Sequence, residues 1–287
     1  QNELKNKLFE EVKTMTEEYM KTEEYKGIVQ NKKIRSLPII RGVFSFIDSM
    51  VLGMSTLTYS ASFFMDEEEE EKDEKKESVM MGLTIACSVV MAVAIFMILP
   101  YFLSQLFRKF TDSTTLITLL EGAVRLVIFF GYILLISRMK DIQRVFMYHG
   151  AEHKCINCVE HGLELNVENV MKSSREHKRC GTSFLLFVMI VSIIFFLFIR
   201  IESPIWRVVF RLLLIPVIAG VSFEFIRLAG KSENKLVIFL SKPGMMLQKL
   251  TTREPDASMA EVAIASVEAV FDWRAYLKEN FGWQEKV

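Results

Sequence analysis

The segments TSFLLFVMIVSIIFFLFI (182–199) and IWRVVFRLLLIPVIAGVSFEFIRL (205–228) decide the fold class of this chain. Each is predominantly apolar and long enough, as an α-helix, to cross a hydrocarbon layer about 30 Å thick. A short connection at residues 200–204 joins them. We therefore predict a helical hairpin that spans a membrane.

Two further apolar runs, at 80–107 and 115–136, predict two more membrane spans. The run at 37–65 is also apolar, but Arg41, Asp48 and many small residues interrupt it, which fits either a fifth span or a helix in the membrane interface. The predicted fold is all-α: a polytopic helical membrane protein with four clear transmembrane helices, this fifth or interfacial helix, and polar helical elements on one face.

The polar segments predict the domain organisation. Charged and apolar residues alternate with helical spacing in residues 1–33, as in an amphipathic helix, whereas the acidic run at 66–77 is typical of a solvated loop. Helical patterns recur at 235–250 and, as one continuous stripe, at 258–280. The predicted domains are an N-terminal helix (1–34), a membrane domain (35–230) that includes a loop at 137–181, and a docked amphipathic tail (231–287).

Composition limits the partners and the location. The chain has 35 basic and 35 acidic residues, so it lacks the basic excess that favours nucleic-acid binding. The first residues are polar, and we expect internal spans rather than a cleaved signal peptide to direct insertion into the cell membrane. The lysine and arginine content of 137–181 and of the tail predicts that both are cytoplasmic. Expected partners are the lipid bilayer and either another membrane protein or a second copy of the chain.

Metal-binding residue types are concentrated in one short interval of the chain. All four histidines and three of the four cysteines lie between residues 149 and 180, namely His149, His153, His161, His177, Cys155, Cys158 and Cys180. Imidazole nitrogen and thiolate sulfur are the preferred ligands of Zn²⁺. This interval is therefore the predicted site of the protein's chemistry.

A predicted helix at 141–161 places His149 and His153 on one face, with Glu152 beside them. The pattern His-x-x-Glu-His is that of inverted zincins, in which the glutamate acts as general base. The same helix directs Cys155 and Cys158 away from these histidines. On an unbroken helix the two cysteines therefore cannot bind the same ion as the two histidines.

Completing the metal shell requires a second segment. Asn166 is a good N-cap and Gly181 a plausible helix end, which predicts a helix at 167–180 that presents His177 and Cys180 on one face. The predicted ligands are His149, His153, His177 and Cys180, and Glu160 is expected to be a further ligand or to orient an imidazole. This ligand set favours Zn²⁺, with iron or cobalt as competitors.

Seven segments of the sequence match those of a known family: LPIIRG (37–42), SMVLGMSTLTYSA (49–61), YHGAEHK (148–154), VEN (167–169), RCGTSFLLFVMIVSII (179–194), TTREP (251–255) and EVAIA (261–265). On these segments the sequence resembles the bacterial YqhQ-like family of multi-pass membrane proteins. The resemblance covers roughly residues 35–270. Family members are described as predicted metal-dependent enzymes of unknown function. The resemblance implies that His149, Glu152, His153, His177 and Cys180 form the site.

Three functions are consistent with these features. The first is a membrane-embedded metal-dependent hydrolase, for instance a peptidase, in which Glu152 activates water. The second is a non-enzymatic scaffold or partner-binding protein with a structural zinc site, because the sequence does not reveal whether a coordination position is open. The third, weaker reading is a transporter that uses Glu121, Arg125 and Glu224.

Overall fold

Helices form the regular structure in the computed structural model, which describes residues 24–62, 74–199, 201, 203–232 and 234–284. No strand occurs within these ranges, so the all-α prediction is confirmed. Most of the predicted N-terminal helix (1–23) and of the predicted acidic loop (66–73) lies outside the described residues.

The helices are numbered here in chain order. They are α1 (Lys32–Ser36), α2 (Ile40–Ser62), α3 (Glu74–Val93), α4 (Leu99–Gln105), α5 (Thr114–Ile136), α6 (Lys140–Glu160), α7 (Val167–Lys172), α8 (Gly181–Phe198), α9 (Pro204–Lys231), α10 (Lys235–Thr251), α11 (Ala257–Glu268) and α12 (Trp273–Phe281). A π-helical turn at Ala94–Ile98 connects α3 to α4, and a 3₁₀ turn at Leu106–Lys109 follows α4. The π-turn precedes Pro100, whose ring nitrogen has no hydrogen to donate to the helix.

Five helical stretches of the described chain are long and apolar enough to cross a membrane: Ile40–Ser60, Val79–Lys109, Thr114–Ile136, Gly181–Phe198 and Ile205–Lys231. Four of them match the four predicted spans. The fifth falls in the segment 37–65, for which the sequence fitted either a span or an interfacial helix. The chain therefore has the architecture of a multi-pass membrane protein. The orientation of its loops stays a prediction.

Outside the candidate site, three predicted elements differ from the structure. Residues 24–31 are not helical, because Gly27 has a positive φ of 72° and the amide of Ile28 donates to Asp48. The predicted acidic loop ends earlier than residue 77, since α3 begins at Glu74. The predicted helix at 258–280 is two helices, because the Asp272 side chain accepts a hydrogen bond from the amide of Ala275 and caps α12.

The described chain forms two compact units. One unit, here called the histidine unit, comprises Glu24, Ile133–Ser183 and residues 234–284; the other, the span unit, comprises 25–62, 74–132 and the described part of Phe184–Ser232. In the histidine unit, α6 packs against α7 and α11. Its buried core consists of Cys155, Cys158, Val159, Leu165, Val170, Ala260, Trp273 and Leu277.

Helix α6 ends where the sequence predicts. Gly162 adopts a positive φ of 75°, and its amide donates to the carbonyl of Val159, while the amide of Leu163 donates to the carbonyl of Cys158. These two bonds form a Schellman motif, which favours glycine at this position. The chain then turns back along α6 and enters α7, where the Asn166 side chain caps the helix as predicted.

Candidate metal centre

His149, His153 and Cys180 come together in the histidine unit. The two imidazoles lie one helical turn apart on α6, with ring centroids separated by 4.4 Å, and Cys180 directly precedes α8. One ligand atom from each of the three residues lies within 4.8 Å of the other two. His153 and Cys180 are buried, and His149 is partly buried.

Main-chain carbonyls fix the orientation of both imidazoles. Nδ1 of His149 lies 2.9 Å from the carbonyl oxygen of Thr251, and Nδ1 of His153 lies 2.6 Å from that of Arg175. A carbonyl oxygen can only accept, so each Nδ1 carries the hydrogen. In the neutral ring the lone pair is then on Nε2, which is the arrangement typical of metal-binding histidines.

The Cys180 sulfur lies next to His149. Its Sγ lies 3.3 Å from Nε2 of His149 and 3.1 Å from Oγ1 of Thr182. Burial raises the pKa of Cys180, but its contacts with His149, His153 and Thr182 outweigh burial and lower the pKa to about 5. Burial likewise lowers the pKa of His149, yet its contacts with Cys180 leave that pKa above its ordinary value.

The spacing of these donors fits a metal. Two ligands of a tetrahedral zinc ion, one nitrogen and one sulfur, lie about 3.5 Å apart, given Zn–N and Zn–S bonds of about 2.0 Å and 2.3 Å. The separation of 3.3 Å between His149 Nε2 and Cys180 Sγ is close to this value. Three donors of the N,N,S type therefore lie close enough together that they could hold one ion.

The segment that contains Cys180 is not the predicted helix. Helix α7 ends at Lys172, and the prediction of a helix at 167–180 is wrong beyond that residue. The reason is that α6 binds the carbonyls of this segment: Lys154 Nζ donates to Met171 and Ser173, and Asn157 Nδ2 donates to Ser174 and Glu176. The irregular path that results brings the Arg175 carbonyl to His153.

Two other contacts position the ligands. The buried side chain of Gln248 accepts from the amide of His177 and donates to its carbonyl and to Ser183, which fixes the turn that contains Cys180. Gly150 lets residues 251–255 approach α6, since a Cβ there would lie 2.1 Å from the carbonyl oxygen of Arg253. This close approach brings the Thr251 carbonyl to His149.

The structure places the other predicted residues around this cluster. His177 is outside the three-residue group; its Nε2 lies 3.1 Å from the Glu160 carboxylate, which also binds Arg179 at 2.7 Å. Glu160 thus contacts the imidazole of His177. Its expected role, as a further ligand or as a carboxylate that orients an imidazole, stays a prediction. The role of His177 as a ligand stays a prediction.

Glu152 lines a cavity of about 270 Å³ together with the cluster. The cavity is also bordered by Glu160, His177 and Arg179. An apolar cavity of about 370 Å³ shares Ile156, Glu160 and Arg179 with it and extends toward α11 and α12, where Val267, Val270, Phe271 and Tyr276 line it.

Cys155 and Cys158 point away from the cluster, as predicted. Both are fully buried in the core of the histidine unit. Burial is the main cause that raises the pKa of Cys155 to about 12 and that of Cys158 to about 11. They are therefore neutral packing residues.

Comparison with known proteins identifies the family. A family model described as a protein of unknown function (DUF1385) matches residues 37–273. The chain belongs to the DUF1385 family. A relative of this DUF1385 protein, described as the uncharacterized protein YqhQ of Bacillus subtilis (strain 168), is 36% identical over 258 residues, which cover 86% of this chain and 81% of the relative. The resemblance to the YqhQ-like family is thereby confirmed. No solved structure matches the chain.

The sequence analysis of this DUF1385 protein did not identify the residues that hold the cluster in place. Each of these residues makes a hydrogen bond that involves a main-chain group, and none is of a type that usually binds a metal. They are Lys154, Asn157, Gln248 and Thr251. Two signals were nevertheless present in the sequence. Lys154 closes the HGAEHK segment, and Thr251 opens the TTREP segment, both of which carried the family resemblance.

Proposed function

We propose that this protein is a membrane-embedded metal-dependent hydrolase. In this proposal His149, His153 and Cys180 hold one divalent ion, for which Zn²⁺ is the best match, and Glu152 is the general base that takes a proton from water. The ion would supply Lewis-acid activation of that water. The observation that carries the proposal is a set of three convergent donors, with both Nδ1 atoms donating to carbonyls, at the wall of a cavity.

The group of three convergent donors among the described residues supports a catalytic reading. Structural zinc sites almost always have four protein ligands, whereas catalytic sites have three and leave one position for water or substrate. Glu152 is exposed on the cavity side of the cluster, where a carboxylate could reach such a water. The adjoining apolar cavity would accept a hydrophobic part of the substrate.

Metal content tests the ligands. The purified protein should contain about one zinc ion per chain, and His149→Ala, His153→Ala and Cys180→Ala should each lose it. His161→Ala is the matched control, because His161 follows α6 and its Nδ1 donates to the carbonyl of Asn157, away from the cluster. Zinc that is retained by the three variants, or lost by the control, contradicts the proposed site.

The open coordination position tests catalysis. In protein reconstituted with Co²⁺, azide or acetohydroxamate should change the visible absorption bands, because either can bind only at a free position. Glu152→Gln should keep the metal and this response but lose hydrolysis of a quenched peptide library by about 10²–10⁴-fold. Bands that do not respond, together with an unaffected Glu152→Gln variant, would favour the scaffold with a structural zinc site.

A further inference from the structure

The span unit contains a buried ion network with an excess of positive charge. Glu121 and Arg125 on α5 and Arg211 on α9 are only 3%, 5% and 5% exposed. Arg125 donates to Glu121 at 2.9 Å, and Arg211 donates to both oxygens of the same carboxylate. One carboxylate thus binds two guanidinium groups, which leaves one positive charge of this network uncompensated. Such a charge is costly in a membrane-spanning helix, and ionisable residues at these places therefore commonly mark functional sites.

A cavity of about 340 Å³ lies next to this network, and two further arginines line it. Its walls include Glu121 and Arg211, and also Arg108 and Arg207. Arg207 donates to the carbonyl of Ile201, and Arg108 donates through Nε to Gln105. Within the described chain neither has a carboxylate partner, so three guanidinium groups and one carboxylate surround the cavity.

Two neutral features also favour an anion. Gln105 lines the cavity, and its Nε2 is buried without an acceptor among the described residues, although its Oε1 is bound by Arg108. In addition, α5 and α9 begin at Thr114 and Pro204, close in sequence to the lining residues, and helix N-termini attract negative charge. Gln105 Nε2 therefore has hydrogens to donate to a bound acceptor.

We propose that this cavity binds the phosphate group of an anionic ligand. The guanidinium groups that line the cavity belong to two elements, the turn after α4 and α9. A tetrahedral phosphate offers oxygens in several directions, whereas a carboxylate offers two in one plane. A lipid headgroup and inorganic phosphate share this chemistry. The site is formed by the span unit alone and does not depend on the metal centre.

Three variants test the site. Arg108→Gln combined with Arg207→Gln removes two charges at the cavity rim and leaves the buried network intact. Thr118→Phe fills the cavity without changing charge, since Thr118 is a half-buried lining residue. Arg138→Gln is the control, because Arg138 is an exposed arginine directly after a span helix and is not part of the cavity.

Two probes distinguish the source of the phosphate. In detergent, native mass spectrometry compares phosphatidylglycerol with phosphatidylcholine, and calorimetry measures inorganic phosphate against chloride at equal ionic strength. Each arginine removed should weaken the preferred probe about tenfold, which corresponds to about 1.4 kcal/mol. Thr118→Phe should weaken it as well, and Arg138→Gln should bind as the wild type does.

The outcomes separate clearly. Preference for phosphatidylglycerol supports a lipid headgroup, and binding of inorganic phosphate without that preference supports a soluble anion. If the wild type binds neither probe better than the double variant does, the proposal is overturned. It is also overturned if Thr118→Phe binds as the wild type does, because the charge effect would then belong to the surface and not to the cavity.

Discussion

Two main-chain oxygens determine which nitrogen of each histidine is available in the candidate metal centre. The carbonyls of Thr251 and Arg175 accept from Nδ1 of His149 and His153, so both Nε2 atoms are left as donors to an ion. A rotated ring would lose its hydrogen bond and turn its lone pair away. The chemistry of the two histidines therefore depends on the path of two segments far from α6 in sequence.

Gly150 allows one of these paths, so Gly150→Ala should destabilise the protein. The added Cβ would lie 2.1 Å from the Arg253 carbonyl oxygen, and main chain cannot move away as a flexible side chain can. We expect a loss of about 1–3 kcal/mol, as for overpacked sites, and weaker metal binding because the Thr251 carbonyl moves. Thermal unfolding in detergent and zinc titration measure the two effects.

Gly131→Ala is the matched control for this variant. Gly131 lies within helix α5, and nothing is within 4 Å of a Cβ built there. Alanine in an open helical position should leave stability unchanged or raise it by up to about 1 kcal/mol. Equal behaviour of the two variants would show that the contact between Gly150 and Arg253 does not matter.

The spacing of His149, Glu152 and His153 could be read from the sequence because helical periodicity alone places them on one face. The carbonyls that orient the rings could not, since every residue has a carbonyl and the residue type does not indicate which one is used. Cys180 was found through its residue type. His177 was predicted as a ligand on a helix that does not exist there.

At the level of secondary-structure elements, the buried amine of Lys154 substitutes for helical hydrogen bonds in the segment after α7. It donates to the carbonyls of Met171 and Ser173 and lies 3.0 Å from Glu254. Lys154→Met should free this segment to move. The Arg175 carbonyl would then shift and no longer fix the orientation of the His153 ring. We expect zinc affinity to fall about 10–100-fold, as for other residues that orient a ligand, measured by competition with a chelator.

Lys172→Met provides the comparison for Lys154→Met. Lys172 lies in the same region, but it is exposed, and its ion-pair partner among the described residues is Glu168 on the surface of α7 at 2.6 Å. Exposed pairs contribute little to stability, so its zinc affinity should equal that of the wild type. A similar loss in both variants would point to a general effect of charge on the metal.

Asp256 caps α11, and the contribution of this cap to the stability of the protein depends on pH. Hydrogen bonds from the Ser258 side chain and the Met259 amide lower the pKa of Asp256 below its ordinary value. Asp256→Ala should cost about 1 kcal/mol at neutral pH. Because the pKa is lower in the folded protein, this advantage is present above the pKa of the unfolded chain and disappears as the pH falls through the folded pKa.

Asp256→Asn separates the charge from the hydrogen bonds of that cap. Asparagine accepts the same amide bond at every pH, so its stability relative to alanine should not change with acid. Melting temperatures of the three proteins between neutral and acidic pH measure this. A constant difference between the wild type and Asp256→Ala would refute the linkage.

The span helices were predictable because membrane spans depend on local composition, which the sequence displays directly. Helix α6 was predictable for a similar reason, since its periodicity and the glycine at its end are local. The segment at 173–180 was not, because Lys154 and Asn157 contribute non-local bonds to its carbonyls. The break between α11 and α12 could have been recognised from Asp272, which is a typical N-cap residue.

At the level of the whole molecule, the candidate metal ligands and their supports come from three stretches of the histidine unit. His149 and His153 lie on α6, Cys180 follows the irregular segment after α7, and the Thr251 carbonyl belongs to the end of α10. An ion bound to these ligands would hold together segments that are far apart in sequence. Its effect on stability should accordingly be concentrated in this unit.

Removal of the metal should therefore loosen the histidine unit and leave the span unit unchanged. Zinc at a free concentration 100 times its dissociation constant stabilises the folded state by about 2.7 kcal/mol, and a chelator abolishes this. Amide hydrogen exchange should increase in 144–160, 173–182 and 248–253, and stay constant in α2 and α9. Cys180→Ser should show the fast pattern before chelation and little further change, whereas His161→Ala should respond as the wild type does. Exchange that increases equally in both units would mean that the ion does not act through these three segments.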